Sequence, residues 1–212
     1  MTLFTFGDSI LDCGHYNDRG VHPAQLLVRN DDALFPEFRG RDLVSRGQDA
    51  RLEHRAVDGA TSADLGRQAA RIRAPEGPSA ALLTVGGNDL LRGLAADRTG
   101  AGLRAFEATV RRFADGLPIR PILVGTVYDP TFGDDARNFT GIDPRLARGN
   151  LLRVNAVLGD LAARNGRLAD LHAHFLGGDP SWFTRTIEPS LVGASEVRRV
   201  FLRLLESRRA ER

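Results

Sequence analysis

The chain is expected to fold as a three-layer α/β/α sandwich around a mainly parallel, flavodoxin-like sheet, and two observations predict it. Short apolar runs at Leu3 to Phe6, Ala81 to Val85 and Ile119 to Val127 have the length and composition of buried strands. Helical patterns separate them, and strands alternating with helices imply right-handed crossovers and a sheet covered on both faces. With 212 residues and 42% hydrophobic composition, the chain suits a single domain over 1–212, long enough for one well-buried core and short for two.

The elements follow in order. Leu3 to Phe6 is the first strand, and Leu52 to Val57 a second, more polar one. After Gly59, the stretch Thr61 to Ile72 is predicted helical, with Thr61 or Ser62 as its cap. Ala81 to Val85 is the third strand. Ala101 to Leu117 places Leu103, Phe106, Val110 and Phe113 on one helical stripe. Ile119 to Val127 is the fourth strand, and Asp143 to Asn165 the longest helix, its proline suited to the first turn. Arg167 to Phe175 is the fifth strand, placing His172 and His174 on one side of it, and a helix closes the chain.

Two stretches resist regular assignment. Asp12 to Pro23 is polar and turn-rich, and Tyr128 to Ile142 mixes Gly133, Asp134, Asp135, Asn138 and Gly141 with the aromatics Tyr128, Phe132 and Phe139. Each follows a predicted strand, so both are expected to leave the same sheet edge. Long loops there are candidates for a substrate wall, although the aromatics have the alternative of packing down to hold the loop.

Composition limits the partners. The formal net charge is +2, and the pI of about 9.3 arises because every basic residue is arginine, which hardly titrates. The C-terminal cluster Arg198, Arg199, Arg203, Arg208 and Arg209 is expected to form a solvated helix face, so no nucleic-acid partner is predicted. No apolar stretch is long enough for a membrane span, and no leader precedes the first strand, so a cytoplasmic location is expected. Cys13 is the only cysteine, which excludes an intramolecular disulfide and fits a reducing compartment. No motif calls for a cofactor. His172 and His174 lack the further ligands of a metal site, His54 reads as structural, and nothing indicates an oligomeric state.

The chemistry is concentrated in two turns. Gly7-Asp8-Ser9-Ile10-Leu11 puts a serine where the first strand hands over to a loop, and Gly86-Gly87-Asn88-Asp89 repeats the arrangement after the third. If the strands are parallel, both turns converge on the carboxyl edge of the sheet, where α/β proteins place their sites. Ordinary turn or helix-cap roles are the alternatives for Ser9 and Asn88. The two blocks in this order resemble the SGNH (GDSL) family of serine esterases and lipases. That resemblance implies that Ser9 is the nucleophile and Asn88 an oxyanion-hole donor. Ala56-Val57-Asp58-Gly59-Ala60-Thr61 is similar to the family's second block, which implies that the oxyanion hole combines the amides of Ser9 and Gly59 with the Asn88 side chain. A plain turn glycine is the alternative for Gly59.

The final block departs from the family. Where the family carries Asp-x-x-His-Pro, this chain reads Arg185-Thr186-Ile187-Glu188-Pro189, followed by Ser190 and Gly193. Glu188 stands in the histidine position and Arg185 in the aspartate position. Three explanations compete. Glu188 acts as the base, although an ordinary glutamate near ~4.3 accepts a serine proton less readily than a histidine near ~6.5; catalysis is lost; or the histidine comes from elsewhere. For the last, Asp18-Arg19-Gly20-Val21-His22-Pro23 looks like the displaced ending of the missing block. The expected catalytic group is therefore Ser9, His22 as base and Glu188 as the carboxylate that orients it, with His15 the nearest rival to His22. The function implied is hydrolysis of a small-molecule acyl ester through an acyl-serine intermediate. An acyltransferase on the same scaffold and a noncatalytic binding module are the alternatives.

Overall fold

Five parallel strands form the centre of the computed structural model, which describes residues 1–207. They are β1 (Thr2–Gly7), β2 (Arg51–His54), β3 (Ser79–Thr84), β4 (Ile122–Gly125) and β5 (Gly166–Ala169), in the order β2-β1-β3-β4-β5. Every pairing among them is parallel. Seven α-helices are described: α1 (Pro23–Val28), α2 (Leu65–Gln68), α3 (Gly87–Leu91), α4 (Ala101–Gly116), α5 (Pro144–Asn165), α6 (Leu171–Leu176) and α7 (Leu191–Ser207). A two-residue hairpin ladder, β6 (Phe183–Thr184) and β7 (Glu188–Pro189), stands apart from the main sheet. The expected three-layer architecture is the observed one.

Strand alternation divides the core in two. Phe4, Phe6, Ala81, Leu83, Ile122 and Val124 face Phe106, Val110 and Phe113 of α4 and Val154 and Leu158 of α5. Their neighbours Leu3, Ala80, Leu82 and Leu123 face Leu26 and Leu27 of α1, Phe175 of α6 and Val197 and Phe201 of α7. Such a two-sided burial is why these strands read as continuous apolar runs and not as alternating ones. No helix among the described residues is long and apolar enough to cross a membrane.

Three local expectations need correction. The fifth strand stops at Ala169 because Asp170 caps a helix, its side chain accepting from the Ala173 amide at 3.0 Å. His172 and His174 therefore sit on α6 and not along a strand. The helix predicted from Thr61 to Ile72 is a 3-10 turn, Ser62–Asp64, followed by the single turn of α2, although Thr61 and Asp64 do form a capping box at its start. Arg198 is not on a solvated face. It is 1% exposed, its guanidinium lying 3.4 Å from the Phe38 ring centroid and donating to Asn30 Oδ1 at 2.7 Å. Two aromatic faces and a side-chain oxygen replace water around it, and burial lowers its pKa to about 10. Arg199 is paired with Glu196, Arg203 is exposed, and Arg208 and Arg209 lie outside the described residues.

Candidate active site

The chain reverses its direction of sheet growth between β1 and β3, since β2 is added on one side of β1 and β3 on the other. Loops leaving the carboxyl ends of these two strands splay apart and open a crevice. The Ser9 turn follows β1 and the Asn88 turn follows β3.

Glycine is required where β1 ends. Gly7 has φ +116°, and a Cβ there would fall 1.5 Å from the Thr84 carbonyl oxygen of β3. This close approach is secured on the other side by Gln68, whose amide accepts from Gly7 N at 2.7 Å and donates to Gly7 O at 2.8 Å. Asp8 then turns the chain. Its Oδ1 accepts from Thr84 Oγ1 at 2.8 Å and from the Ile10 amide at 3.2 Å. Burial pushes the Asp8 carboxyl up to about 7 against the opposing pull of these two hydrogen bonds. Ser9, 8% exposed, sits on the resulting turn.

Three contacts tie the Gly59 loop to the Asn88 turn. Asn88 Nδ2 donates to Ala60 O at 3.0 Å, Arg92 Nη2 donates to Gly59 O at 2.9 Å, and the Ser62 amide donates to Asp89 Oδ2 at 3.0 Å. Gly59 itself has φ +74°, a left-handed conformation that suits glycine. Among the described residues, neither the Ser9 amide nor the Gly59 amide donates to a protein acceptor. The second hydrogen of the Asn88 amide group is also left over once Ala60 is served. The structure thus places Ser9 and Asn88 on one cavity, with the Gly59 loop bonded to the Asn88 turn and donors to spare.

Glu188 arrives on the hairpin. Thr184 pairs with Glu188 and Phe183 with Pro189, and the connecting Arg185 and Thr186 both have left-handed φ, 45° and 77°. Non-glycine residues in that region cost about 1–3 kcal/mol each and persist only where surrounding contacts hold them. Here Tyr128 OH donates to Ile187 O at 2.7 Å, and the Arg185 guanidinium lies 5.0 Å from the Tyr16 ring centroid. The nearby Ser9 hydroxyl favours the charged form of Glu188, while Glu188 Oε2 is buried with no hydrogen-bond partner. Burial is the larger influence and raises the Glu188 pKa.

The loop histidines are placed differently. His22 stacks on His54, ring centroids 4.3 Å apart, and its Nδ1 is buried without a partner. Burial and the neighbouring His54 lower its pKa to about 4. No hydrogen bond joins His22 to Ser9 or to Glu188. His54 is held between Thr5 Oγ1 at 2.8 Å and Asp12 Oδ1 at 3.3 Å, and Asp12 Oδ2 accepts from the Asp58 amide at 2.9 Å. His15 donates through Nε2 to Asp58 Oδ2 at 3.2 Å, an oxygen that also accepts from Tyr16 OH at 2.8 Å. His172 and His174 are engaged with Val127 O and Glu196 Oε2. Among the described residues, no group of three His, Cys, Asp or Glu side chains is arranged to hold a metal ion.

A cavity of about 140 Å³ adjoins Ser9 and Asn88. Its walls are mainly apolar, with Leu90, Leu151 and Ile187 on them, and its outer part is the Tyr128-to-Ile142 loop, which contributes Phe139. Of the loop's aromatics, Tyr128 packs down, 6% exposed and stacked on Phe175, whereas Phe139 is 43% exposed at the cavity wall. Sequence inspection passed over Asp58 and Tyr16 as members of this region. Asp58 stood next to Gly59 in a block already singled out, and that adjacency was the available signal; nothing local marked Tyr16.

Comparison with known proteins follows the same lines. The chain has the fold of an acetyl xylan esterase from Geobacillus stearothermophilus, with TM-score 0.67 and 22% identity over 95% of this chain and 92% of that one. It is also similar to LAE5, an alpha/beta hydrolase enzyme from the metagenome of Lake Arreo, Spain, with TM-score 0.62 and 21% identity over 96% and 94% of the two chains. A comparison with curated protein sequences gives no match. The model of the GDSL-like lipase/acylhydrolase family matches residues 5–192. With the match running from the first strand through the hairpin that presents Glu188, the chain belongs to the GDSL-like lipase/acylhydrolase family.

Proposed function

We propose that the protein hydrolyses small acyl esters through an acyl-serine intermediate formed on Ser9. One observation carries this reading: Ser9 lines a cavity with Asn88, whose turn is bonded to the Gly59 loop, and among the described residues the amides of Ser9 and Gly59 have no protein acceptor. Donors set around a nucleophile in this way suit a tetrahedral intermediate, whose oxygen takes on negative charge as the carbonyl is attacked. Ser9 Oγ attacks the ester carbonyl, the oxyanion is met by the three donors, and the alcohol leaves. Water then attacks the acyl-serine, and the same donors serve the second intermediate.

The apolar cavity beside Ser9 supports an uncharged acyl group. Burying an unpaired carboxylate against Leu90, Leu151 and Ile187 would carry a large desolvation penalty, and Arg148, which also lines the cavity, is already paired with Asp135. The acetyl xylan esterase activity of the structural neighbour makes sugar acetates a sensible part of any substrate panel.

The test is a panel of 4-nitrophenyl esters of increasing acyl length with acetylated sugars beside it, together with labelling by a fluorophosphonate. Turnover of one or more esters, with label found on Ser9 by peptide mass spectrometry, is the result expected. Absence of both turnover and Ser9 labelling would defeat the reading.

A further inference from the structure

We propose that Glu188 is itself the base that takes the Ser9 proton, so that the site works as a serine–glutamate pair with no histidine between them. The assignment rests on the ester-hydrolysis reading above and names the residue that reading lacks. Three features of the geometry point to it. Ile187, the neighbour of Glu188 on the hairpin, lines the same cavity as Ser9, and the Ser9 hydroxyl is near enough to the Glu188 carboxylate to favour its charged form. Its Oε2 is buried and unpartnered, so the carboxylate has not spent its accepting capacity on the protein. And the hairpin that delivers it is held with two non-glycine residues in left-handed conformation, pinned by Tyr128 and Tyr16.

Neither loop histidine is hydrogen-bonded to Ser9. His22 is stacked on His54, and His15 is oriented through Nε2 by Asp58, as a triad imidazole would be, but its Nδ1 makes no hydrogen bond to Ser9. The role foreseen for Glu188, orienting His22, has no contact to act through.

An exposed glutamate would be a poor base for an alcohol, and the surroundings change that. Burial raises the Glu188 pKa, and the carboxylate of Asp58 adds to the rise. His15 and Arg185 oppose it, as does the Ser9 hydroxyl. Asp8, Tyr16, Tyr128 and Cys13 also face this charge, and each has its own proton held more tightly because of it. The net effect is a more basic carboxylate than in water, on the hairpin beside Ser9.

The proton balance closes without another group. As Ser9 Oγ bonds to the carbonyl carbon, its proton passes to Glu188. The neutral acid then protonates the departing alkoxide, which leaves as the alcohol and restores the carboxylate. In the second half, Glu188 takes a proton from water as its oxygen attacks the acyl carbon. Collapse of that intermediate returns the proton to Ser9 Oγ and releases the carboxylic acid.

The experiment follows two readouts in the full chain: hydrolysis of the best ester on the panel, and the rate of Ser9 labelling by a fluorophosphonate, which also depends on removing the serine proton. Glu188→Gln should lower both by at least about 100-fold, the lower range for loss of a general base, and should abolish the acid limb of the pH profile. Glu188→Ala should be similarly slow and should recover in part with added formate, which refills the vacated carboxylate position. His15→Ala and His22→Ala should each lose less than Glu188→Gln. Folded Glu188→Gln with parental labelling and turnover would overturn the assignment. So would loss of labelling in either histidine variant to the level of Glu188→Gln, or failure of formate to accelerate folded Glu188→Ala. A parent that labels at Ser9 but hydrolyses no ester would defeat the substrate reading while leaving the base assignment to be decided by labelling rates.

Discussion

Asn88 Nδ2 donates to the carbonyl oxygen of Ala60 across 3.0 Å, joining the turn after β3 to the loop that carries Gly59. One hydrogen of the amide group thereby holds the Gly59 loop to the Asn88 turn, and the other is left over. Asn88→Ala is expected to lower kcat by roughly 100- to 1000-fold, the loss of about 3–4 kcal/mol found when an oxyanion donor is removed, with a smaller change in KM. Steady-state kinetics on the folded variant measure it; a kcat near that of the parent would remove Asn88 from the mechanism.

Ser9→Ala is expected to abolish fluorophosphonate labelling and turnover and to leave the fold intact, because the hydroxyl makes none of the contacts that build the turn. Gly7, Asp8 and Gln68 make those. Intact-mass spectrometry with circular dichroism separates the two effects, and label retained by the variant would show that the nucleophile lies elsewhere.

Gly193→Ala tests whether the hairpin must sit where it does. A Cβ at Gly193 would fall 2.0 Å from the Trp182 carbonyl oxygen, so α7 and the start of the hairpin would be forced apart. Turnover should drop by at least about tenfold and thermal stability should fall, since overpacking of this kind costs about 1–3 kcal/mol or more. Unchanged kinetics in this variant would mean that the placement of Glu188 tolerates movement of its hairpin.

Arg198→Met should destabilise the protein by about 2–3 kcal/mol, the range for losing a hydrogen bond from a charged donor together with its aromatic stacking. The guanidinium is buried over Phe38 and bonded to Asn30 and Ser195, with no carboxylate in ion-pair contact among the described residues. Urea denaturation measures the change. A variant as stable as the parent would show that methionine packs between Phe35 and Phe38 as well as arginine does.

His22 gives a stability signature in acid. Its folded pKa, near 4, lies below the ordinary histidine value of ~6.5, so the unfolded chain binds the extra proton first. Its contribution is therefore intact above ~6.5, is lost as the pH falls from there towards 4, and changes no further below that, amounting at most to about 3 kcal/mol. Asp8, raised to about 7, works in the opposite direction across the same range. The comparison that isolates His22 is the difference in Tm between the parent and His22→Phe, which should narrow or reverse on acidification. A difference independent of pH would show that His22 does not titrate in this window.

Much of the architecture was legible in the residues themselves. The runs at Leu3, Ala81 and Ile119 are apolar on both faces because helices cover both sides of the sheet, so burial leaves its mark directly on the sequence. The sites after β1 and β3 were legible for a related reason: glycine is needed where strands approach as closely as Gly7 and Thr84, and a polar turn follows each. Local signals failed where two tendencies compete over a few residues. The histidines after Ala169 alternate as a strand would, and only the cap at Asp170 turns them into a helix.

The partner proposed for Ser9 belonged to a different category. His22 stands close to Ser9 along the chain, and Glu188 lies near the other end. The likeness of Asp18 to Pro23 to the missing block favoured His22, which the loop stacks on His54, while the hairpin after α6 brings Ile187, the neighbour of Glu188, to the cavity that Ser9 lines. Which side chain reaches a hydroxyl depends on loop paths, and these are set by contacts such as Asp12 with Asp58 and Tyr128 with Ile187, between residues with no shared periodicity. The same holds for Arg198, whose charge suggested water and whose neighbours Phe35 and Phe38 come from a distant loop. Periodic burial writes strands and helices into the order of residues; pairings between irregular segments exist only once the sheet has brought those segments together.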